Sequence, residues 1–201
     1  GAELLDCDPD RLPQAARDGV VAINLTWNHA NALSGAHADQ PERGLSEIGR
    51  RFVEKMEELR ILVDVSHLSE AGFWDLADLA RRPFMASHSN AKSVWNHTRN
   101  LTNEQITAII GNQGVIGLNF YEGFVGGSRD LDMVRAHLDR ILELGGARNV
   151  ALGGDWDGCD LIADLPAIDS LPRLYEYLLL HGYDEAVVQD LFYNNLMRVV
   201  R

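Results

Sequence analysis

Hydrophobic residues follow two alternating patterns along the chain. Short apolar runs at 20–25, 61–65 and 84–87 are typical of buried parallel strands. Between the first two runs, residues 45–59 carry apolar side chains three or four positions apart, which is the spacing of an amphipathic helix. Because strand-like and helix-like stretches alternate, the pattern predicts an α/β fold with parallel strands.

The same alternation continues to the end of the chain. Two more apolar runs, 115–120 and 150–153, predict further strands, and the polar stretch 28–43 predicts a loop. The remaining helices are predicted from Ser69 onward, at 102–111, at 130–144, around 171–180 and at 184–199. A complete (β/α)8 barrel has about 250 residues and eight strands, whereas this pattern gives five. We therefore expect the last part of a (β/α)8 TIM barrel, as one domain over residues 1–201.

Composition and charge exclude several classes of function. Hydrophobic residues make up 46% of the 201 residues and the formal net charge is −12, which argues against nucleic acid or an anionic membrane as a partner. No apolar run approaches the roughly 18 residues of a membrane span. The two cysteines, Cys7 and Cys159, form no C-x-x-C motif, so we expect no disulfide framework and a cytoplasmic location.

Two histidines stand at equivalent places in successive strand–helix repeats. His67 and His88 each follow a serine at the end of an apolar run. One such histidine is usually a hydrogen-bonded structural residue. Two of them at the carboxyl ends of neighbouring parallel strands favour metal ligands, because active sites form at that edge and imidazole is a common ligand. A catalytic zinc would need a third protein ligand and an open position.

Three further residues are candidates for chemistry. Asp155, in the turn 153–158 after the last strand, is either a solvated turn residue or a proton acceptor for a water activated by metal. Arg99, in the loop after the His88 strand, is either solvated or a clamp for a substrate carboxylate. His29 follows the first strand and either contacts substrate or lies on the surface. Three other histidines, at 37, 137 and 181, are expected on loops or helix surfaces without a role.

In this order and spacing, the sequence resembles the membrane (renal-type) dipeptidase family, peptidase family M19, and its bacterial members most closely. The resemblance covers essentially all of the chain and depends on seven segments: 25–28, 63–67, 86–89, 99–100, 115–121, 153–158 and 194–199. It implies a (β/α)8 barrel of the metallo-dependent hydrolase type, of which this chain supplies about strands 4–8. It also implies hydrolysis of dipeptides, with tolerance for a D-residue at the C-terminal position.

The resemblance assigns roles to the candidate residues. It implies that His67 and His88 bind one zinc of a two-zinc site, and that Arg99 binds the C-terminal carboxylate of the substrate. It implies that Asp155 hydrogen-bonds the water between the two zinc ions and accepts its proton. Because only part of the ligand set is present, we expect one zinc or partial occupancy in this chain.

Two departures from the family pattern affect this interpretation. Mammalian relatives carry a histidine where this chain has Trp27, and nearby His29 is the candidate substitute as a substrate-binding residue. The family's His-x-Asp motif is absent, and the bridging glutamate would fall one residue before Gly1. A missing N-terminal part is therefore expected to complete the site, and the sequence leaves open whether the chain associates with it or forms a homo-oligomer.

Two alternative functions remain at this point. One is another binuclear metal-dependent hydrolase, acting on lactones, amides or phosphoesters. The other is a catalytically incomplete fragment with a structural or interaction role. Arg99 separates the first alternative from a dipeptidase, because only a substrate with a free carboxylate needs it.

Overall fold

The computed structural model describes residues 1–200, and the chain forms two compact units. The first comprises Gly1–Ala86 together with Val200, and the second comprises Ser87–Val199. Parallel strands alternate with helices in the sequence of each unit, as the hydrophobic pattern predicts.

The first unit contains three parallel strands and three α-helices. Strand β1 pairs with β2, and β2 pairs with β3. After two short 3₁₀ turns, Ala2–Leu5 and Pro9–Arg11, the elements are α1 (Leu12–Arg17), β1 (Ala22–Asn24), α2 (Glu47–Glu58), β2 (Leu62–Asp64), α3 (Glu70–Leu79) and β3 (Met85–Ala86). Helices α2 and α3 are the connections between successive strands, which confirms the predicted strand–helix alternation here.

Serine side chains cap the first turns of helices α2 and α3. Ser46 and Ser69 each accept a hydrogen bond at the side-chain oxygen from the backbone N–H three residues later, both at 3.0 Å. Helix α2 then buries Phe52 and Met56 in the core. In α3, the buried Phe73 ring packs edge-on against Phe84 at 5.9 Å between ring centroids, a favourable geometry for aromatic pairs.

The second unit contains two parallel strands, β4 and β5, which pair with each other. Its elements, with the helix that ends the described chain, are α4 (Asn103–Gly111), β4 (Val115–Leu118), α5 (Glu122–Val125), α6 (Leu131–Glu143), β5 (Val150–Leu152), a 3₁₀ turn (Ile168–Ser170), α7 (Leu171–Leu180), α8 (Glu185–Gln189), a π-helical turn (Asp190–Asn194) and α9 (Asn195–Val200). Helix α4, predicted at 102–111, begins with a capping box, in which Thr102 and Gln105 each bond the other's backbone N–H.

Three features differ from the sequence expectation. The helix predicted at 184–199 is interrupted by the π-helical turn, which a periodicity near 3.6 residues does not distinguish from α-helix. Helices α1 and α5 were not predicted, since six and four residues are too few to show a hydrophobic period.

Among residues 1–200, no helix has both the length and the apolar character needed to cross a membrane.

The expected surface position of His137 is wrong. The side chain is 0% exposed, on the same face of α6 as the buried Val134, Leu138 and Ile141. Its Nδ1 accepts a hydrogen bond from the Ala91 N–H at 3.2 Å, and its Nε2 lies 3.0 Å from the Val125 carbonyl oxygen, which only accepts. His137, Leu138 and Ile141 lie three, four and seven residues after Val134, a helical spacing that indicates one buried face. The sequence does not show which distant loops supply the hydrogen-bond partners of the histidine.

His137 makes the stability of the protein depend on pH. Burial lowers the pKa of His137, because a charged imidazole would lose its hydration there, and this outweighs the two backbone hydrogen bonds. In the unfolded chain histidine titrates near ~6.5, so below that pH the unfolded state binds more protons than the folded state. We expect the free energy of unfolding to fall as the pH drops from about 6.5, by up to ~1.4 kcal/mol per pH unit from this group.

Urea unfolding at several pH values between 7.5 and 5 tests this expectation. The His137→Gln variant is expected to be less stable at pH 7.5 and to show a shallower loss of stability toward acid. His97, whose pKa is also lowered by burial and then by Arg99, remains in both proteins. The exposed His181, replaced in the same way, serves as the control. Equal pH dependence in the wild type and His137→Gln would show that this histidine does not carry the effect.

Candidate active site

In the first unit, hydrogen bonds hold His67 in one orientation after β2. Its backbone has a φ of 71°, in the left-handed region that non-glycine residues rarely adopt. Its carbonyl oxygen accepts hydrogen bonds from the His37 N–H at 2.9 Å and from the Thr26 hydroxyl at 3.2 Å. These two bonds fix the loop at the point where the side chain departs.

The His67 ring carries a hydrogen bond that suits a metal ligand. Its Nδ1 lies 3.0 Å from Asn28 Oδ1, and His37 Nε2 lies 3.3 Å from the same oxygen. Because an amide oxygen only accepts, Nδ1 of His67 carries the proton and Nε2 carries the lone pair. Metal-binding histidines are oriented in the same way, with the second ring nitrogen bonded to an outer acceptor. The donor chemistry of His67 therefore fits a zinc ligand.

The other sequence candidate in this unit lies in the loop after β1. His29 has an 84% exposed side chain, and its Nδ1 lies 3.7 Å from Asp39 Oδ2. The same carboxylate oxygen accepts the Ala30 N–H at 2.9 Å. Trp27 beside it is also exposed. The structure thus places His29 where solutes reach it, and its substrate-binding role stays a prediction.

In the second unit, the segment with His88 runs close to β4 and β5. Ser89 donates its N–H to the Gly117 carbonyl oxygen at 2.8 Å. A Cβ on Gly117 or on Gly153 would lie 2.0 Å or 1.9 Å from the Ser87 carbonyl oxygen, so both strands need glycine there. The His88 ring contacts the side chain of the preceding residue, with Nδ1 2.6 Å from the Ser87 hydroxyl.

Arg99 is brought directly to the His88 segment. Its guanidinium is almost fully buried, at 4% residue exposure. Nη2 donates to the His88 carbonyl oxygen at 3.0 Å, and Nη1 donates to the Ser89 hydroxyl at 3.4 Å. The guanidinium carbon also lies 5.3 Å from the centre of the Phe124 ring, within cation–π distance. Arg99 is therefore not the solvated loop residue of the alternative interpretation.

Asp155 follows β5 in a turn that holds its side chain. Its φ is 64°, and its Oδ2 accepts a hydrogen bond from Asn119 Nδ2 at 3.0 Å. Cys159 donates its thiol to the Asp155 carbonyl oxygen at 3.5 Å. Burial, followed by the negative charge of Asp155, raises the pKa of the Cys159 thiol to about 12. Cys159 is therefore a protonated thiol near neutral pH, which argues against nucleophilic catalysis by this cysteine.

Three buried or half-buried asparagines complete the two clusters, and the sequence interpretation missed them. Asn28 orients His67, Asn119 bonds Asp155, and Asn90 bonds the backbone of Asn119. A signal was present in the sequence, since each asparagine lies within or no more than three residues from an apolar run or a candidate histidine. Buried amides are nearly always hydrogen-bonded, but the sequence does not say to which partner.

The described part of the chain, residues 1–200, contains no group of three or more His, Cys, Asp or Glu side chains placed to hold a metal ion. His67 belongs to the first unit, and His88, Arg99 and Asp155 belong to the second. The hydrogen bonds of His67 and His88 are therefore each described within one unit.

The sequence was compared with known families and proteins. Residues 1–201 match the family model described as membrane dipeptidase (peptidase family M19). An uncharacterized protein in the pqqA 5′ region of Klebsiella pneumoniae is 36% identical over 195 residues, covering 91% of this chain and 72% of the relative. An uncharacterized dipeptidase of Schizosaccharomyces pombe is 31% identical over 206 residues, covering 99% of this chain and 50% of the relative.

Solved structures give the same result. A metallo peptidase from Rhodobacter sphaeroides, crystallised with a phosphinate mimic of the dipeptide L-Ala-D-Ala, matches with a TM-score of 0.89 and 32% identity. The match covers 95% of this chain and 58% of that protein. A probable dipeptidase from Pseudomonas aeruginosa, at 19% identity and a TM-score of 0.91, supports the fold alone and is covered to 66%. These matches confirm the predicted α/β fold of the TIM-barrel metallo-hydrolase type, of which the chain covers part.

Proposed function

The chain belongs to the membrane dipeptidase family, peptidase family M19, and from that premise we propose that it acts as a zinc-dependent hydrolase of dipeptides. The observation that carries this proposal is the hydrogen bond from Arg99 to the His88 carbonyl oxygen. It places a group suited to a carboxylate beside a residue suited to zinc. A dipeptide offers both its C-terminal carboxylate and, one residue away, the bond to be cleaved.

His67 and His88 are the proposed zinc ligands in this chain. The hydrogen bond between His67 Nδ1 and Asn28 Oδ1 supports this role by leaving Nε2 as the ligating nitrogen. The Ser87 hydroxyl contacts His88 Nδ1 and favours the same role when it accepts the proton of that nitrogen. When bound, zinc lowers the pKa of a water molecule to about 7 and polarises a carbonyl group.

Arg99 is the proposed binding group for the substrate's C-terminal carboxylate. A guanidinium forms two parallel hydrogen bonds with a carboxylate, and its fixed orientation here reduces the entropy lost on binding. Acceptance of a D-residue at the C-terminal position is supported by the Rhodobacter sphaeroides relative, which was crystallised with a mimic of L-Ala-D-Ala. His29 is a further proposed substrate contact, since its side chain is exposed after β1.

Asp155 is the proposed proton acceptor. Its carboxylate takes the proton of the attacking water, whose oxygen forms a bond to the scissile carbonyl carbon. As the C–N bond breaks, Asp155 returns that proton to the leaving amine nitrogen, so the group ends the cycle unchanged.

A cytoplasmic location also remains a proposal, supported by two free thiols, Cys7 and Cys159.

Zinc titration tests the ligand assignment. We expect His67→Ala to weaken zinc affinity by more than about 100-fold, since removing a ligand costs more than the 10–100-fold loss typical of outer-shell partners. Competition with a chromophoric chelator measures the affinity, and the fold is checked by circular dichroism. His181→Ala, which alters an exposed histidine, is the control. Unchanged zinc affinity in a folded His67→Ala protein would remove His67 from the site.

A further inference from the structure

Asn119 contacts Asp155, and hydrogen bonds fix both ends of its side-chain amide. It follows β4 directly and is only 1% exposed. Its Nδ2 donates to Asp155 Oδ2 at 3.0 Å, while its Oδ1 accepts the Tyr121 N–H at 2.6 Å. Because the amide oxygen is committed to a backbone donor, the amide nitrogen must point toward the carboxylate. The side chain cannot flip without breaking both bonds.

Asn90 fixes the backbone of Asn119 in turn. Asn90 is also 1% exposed. Its side-chain Nδ2 donates to the Asn119 carbonyl oxygen at 3.0 Å, and its Oδ1 accepts the Asn119 N–H at 3.0 Å. One side chain thus satisfies both backbone polar groups of Asn119, as a neighbouring strand would. Since Asn90 lies two residues after His88, the relay joins the His88 segment to Asp155.

We propose that Asn119 is a positioning residue for Asp155, held in place by Asn90, and that Asp155 Oδ1 is the oxygen that accepts the proton. This inference rests on the proposed function, because it needs Asp155 as the proton acceptor. The side-chain Nδ2 of Asn119 donates to Oδ2, which leaves Oδ1 as the carboxylate oxygen for the reacting water. The water O–H bond breaks, its electron pair stays on the attacking oxygen, and the proton forms a bond to Oδ1.

The two atoms of the Asn119 amide separate positioning from a merely structural role. The bond from the Tyr121 N–H to Oδ1 stabilises the turn, which is a structural role. The bond from Nδ2 to the Asp155 carboxylate orients that carboxylate, which is the positioning role. The Asn119→Asp variant keeps an oxygen for the Tyr121 N–H but loses the donor to Asp155. Asn119→Ala loses both. Asn119→Asp also places a second carboxylate beside Asp155, so a wild-type kcat in this variant would show that the contact has no part in the reaction.

The test measures kcat and KM for an alanyl dipeptide, together with crystal structures of the variants. We expect Asn119→Asp to lower kcat by about 100-fold, the loss typical of a 1 Å misplacement, with KM nearly unchanged because Arg99 holds the substrate. In its crystal structure the Asp155 carboxylate should be turned away from its wild-type orientation. Toward acid pH the introduced carboxyl group becomes protonated and donates again, so kcat relative to wild type should rise.

Either of two results would overturn the inference. One is a wild-type kcat in Asn119→Asp, and the other is an unmoved Asp155 carboxylate in its crystal structure. The crystal structure of Asn119→Asp tests the inference even if the chain hydrolyses dipeptides slowly. An Asp155→Asn variant with wild-type kcat would instead reject the role of Asp155 itself, so the failure of the proposed function is distinguished from the failure of this inference.

Discussion

Replacing Asp155 with asparagine is expected to lower kcat for dipeptide hydrolysis by about 10²–10⁴-fold, the range that general acid–base groups contribute. Asparagine has nearly the same shape but cannot accept and return a proton. KM should change little, because the proposed binding group for the substrate's carboxylate is Arg99. Steady-state kinetics on the zinc-loaded protein measure both constants.

A matched control lies in the same turn. Asp157 is two residues from Asp155, also has a positive φ (67°), and is exposed. Asp157→Asn removes the same charge from the same loop without touching the bond to Asn119. We expect wild-type kinetics for this control. Equal kcat values for the two variants would mean that Asp155 has no special part in the reaction.

Replacing Arg99 with alanine is expected to lower kcat/KM for a free dipeptide by about 100-fold or more, mainly through KM. Hydrogen bonds to charged groups are worth about 1.5–3 kcal/mol each, and a carboxylate makes two with a guanidinium. Arg99→Lys keeps the charge but not the planar pair of donors, so about a tenfold loss is expected. Thermal unfolding accompanies the kinetics, because Arg99 also bonds the His88 carbonyl oxygen.

The dipeptide amide is the control substrate for Arg99. It lacks the carboxylate, so the wild type should hydrolyse it far more slowly than the free acid. Arg99→Ala should lose this preference and treat both substrates alike. A variant that keeps the full preference for the free acid would show that another group binds the carboxylate. That result would favour a hydrolase of a different substrate class.

Local sequence signals predicted the elements that depend on local physics. The apolar spacing at 45–59 and the five apolar runs correspond to helix α2 and to the five strands of the structure. Strand ends were less accurate, since the run at 20–25 pairs only over Ala22–Asn24. Leu25 is fully buried although it follows the last paired residue, whereas Val20 and Val21, which precede the first, are exposed.

The site was predictable as residue types but not as a network. Histidine and aspartate at strand ends indicate chemistry by their position. Position left two interpretations of Arg99 open, and the family resemblance favoured the carboxylate clamp. The bonds from Asn119 to Asp155 and from Ala91 to His137 join residues 36 and 46 positions apart. Such pairs depend on tertiary packing, for which hydrophobic periodicity carries no information.

Turnover of alanyl dipeptides by the zinc-loaded protein tests the central claim most directly. Release of free alanine from L-Ala-L-Ala and L-Ala-D-Ala is followed by chromatography, with a lactone and a phosphodiester as comparison substrates. We predict alanine release that stops when a chelator removes zinc, and no hydrolysis of the two comparison substrates. Full zinc occupancy without alanine release, or turnover of the lactone or phosphodiester alone, would contradict the assignment as a dipeptidase.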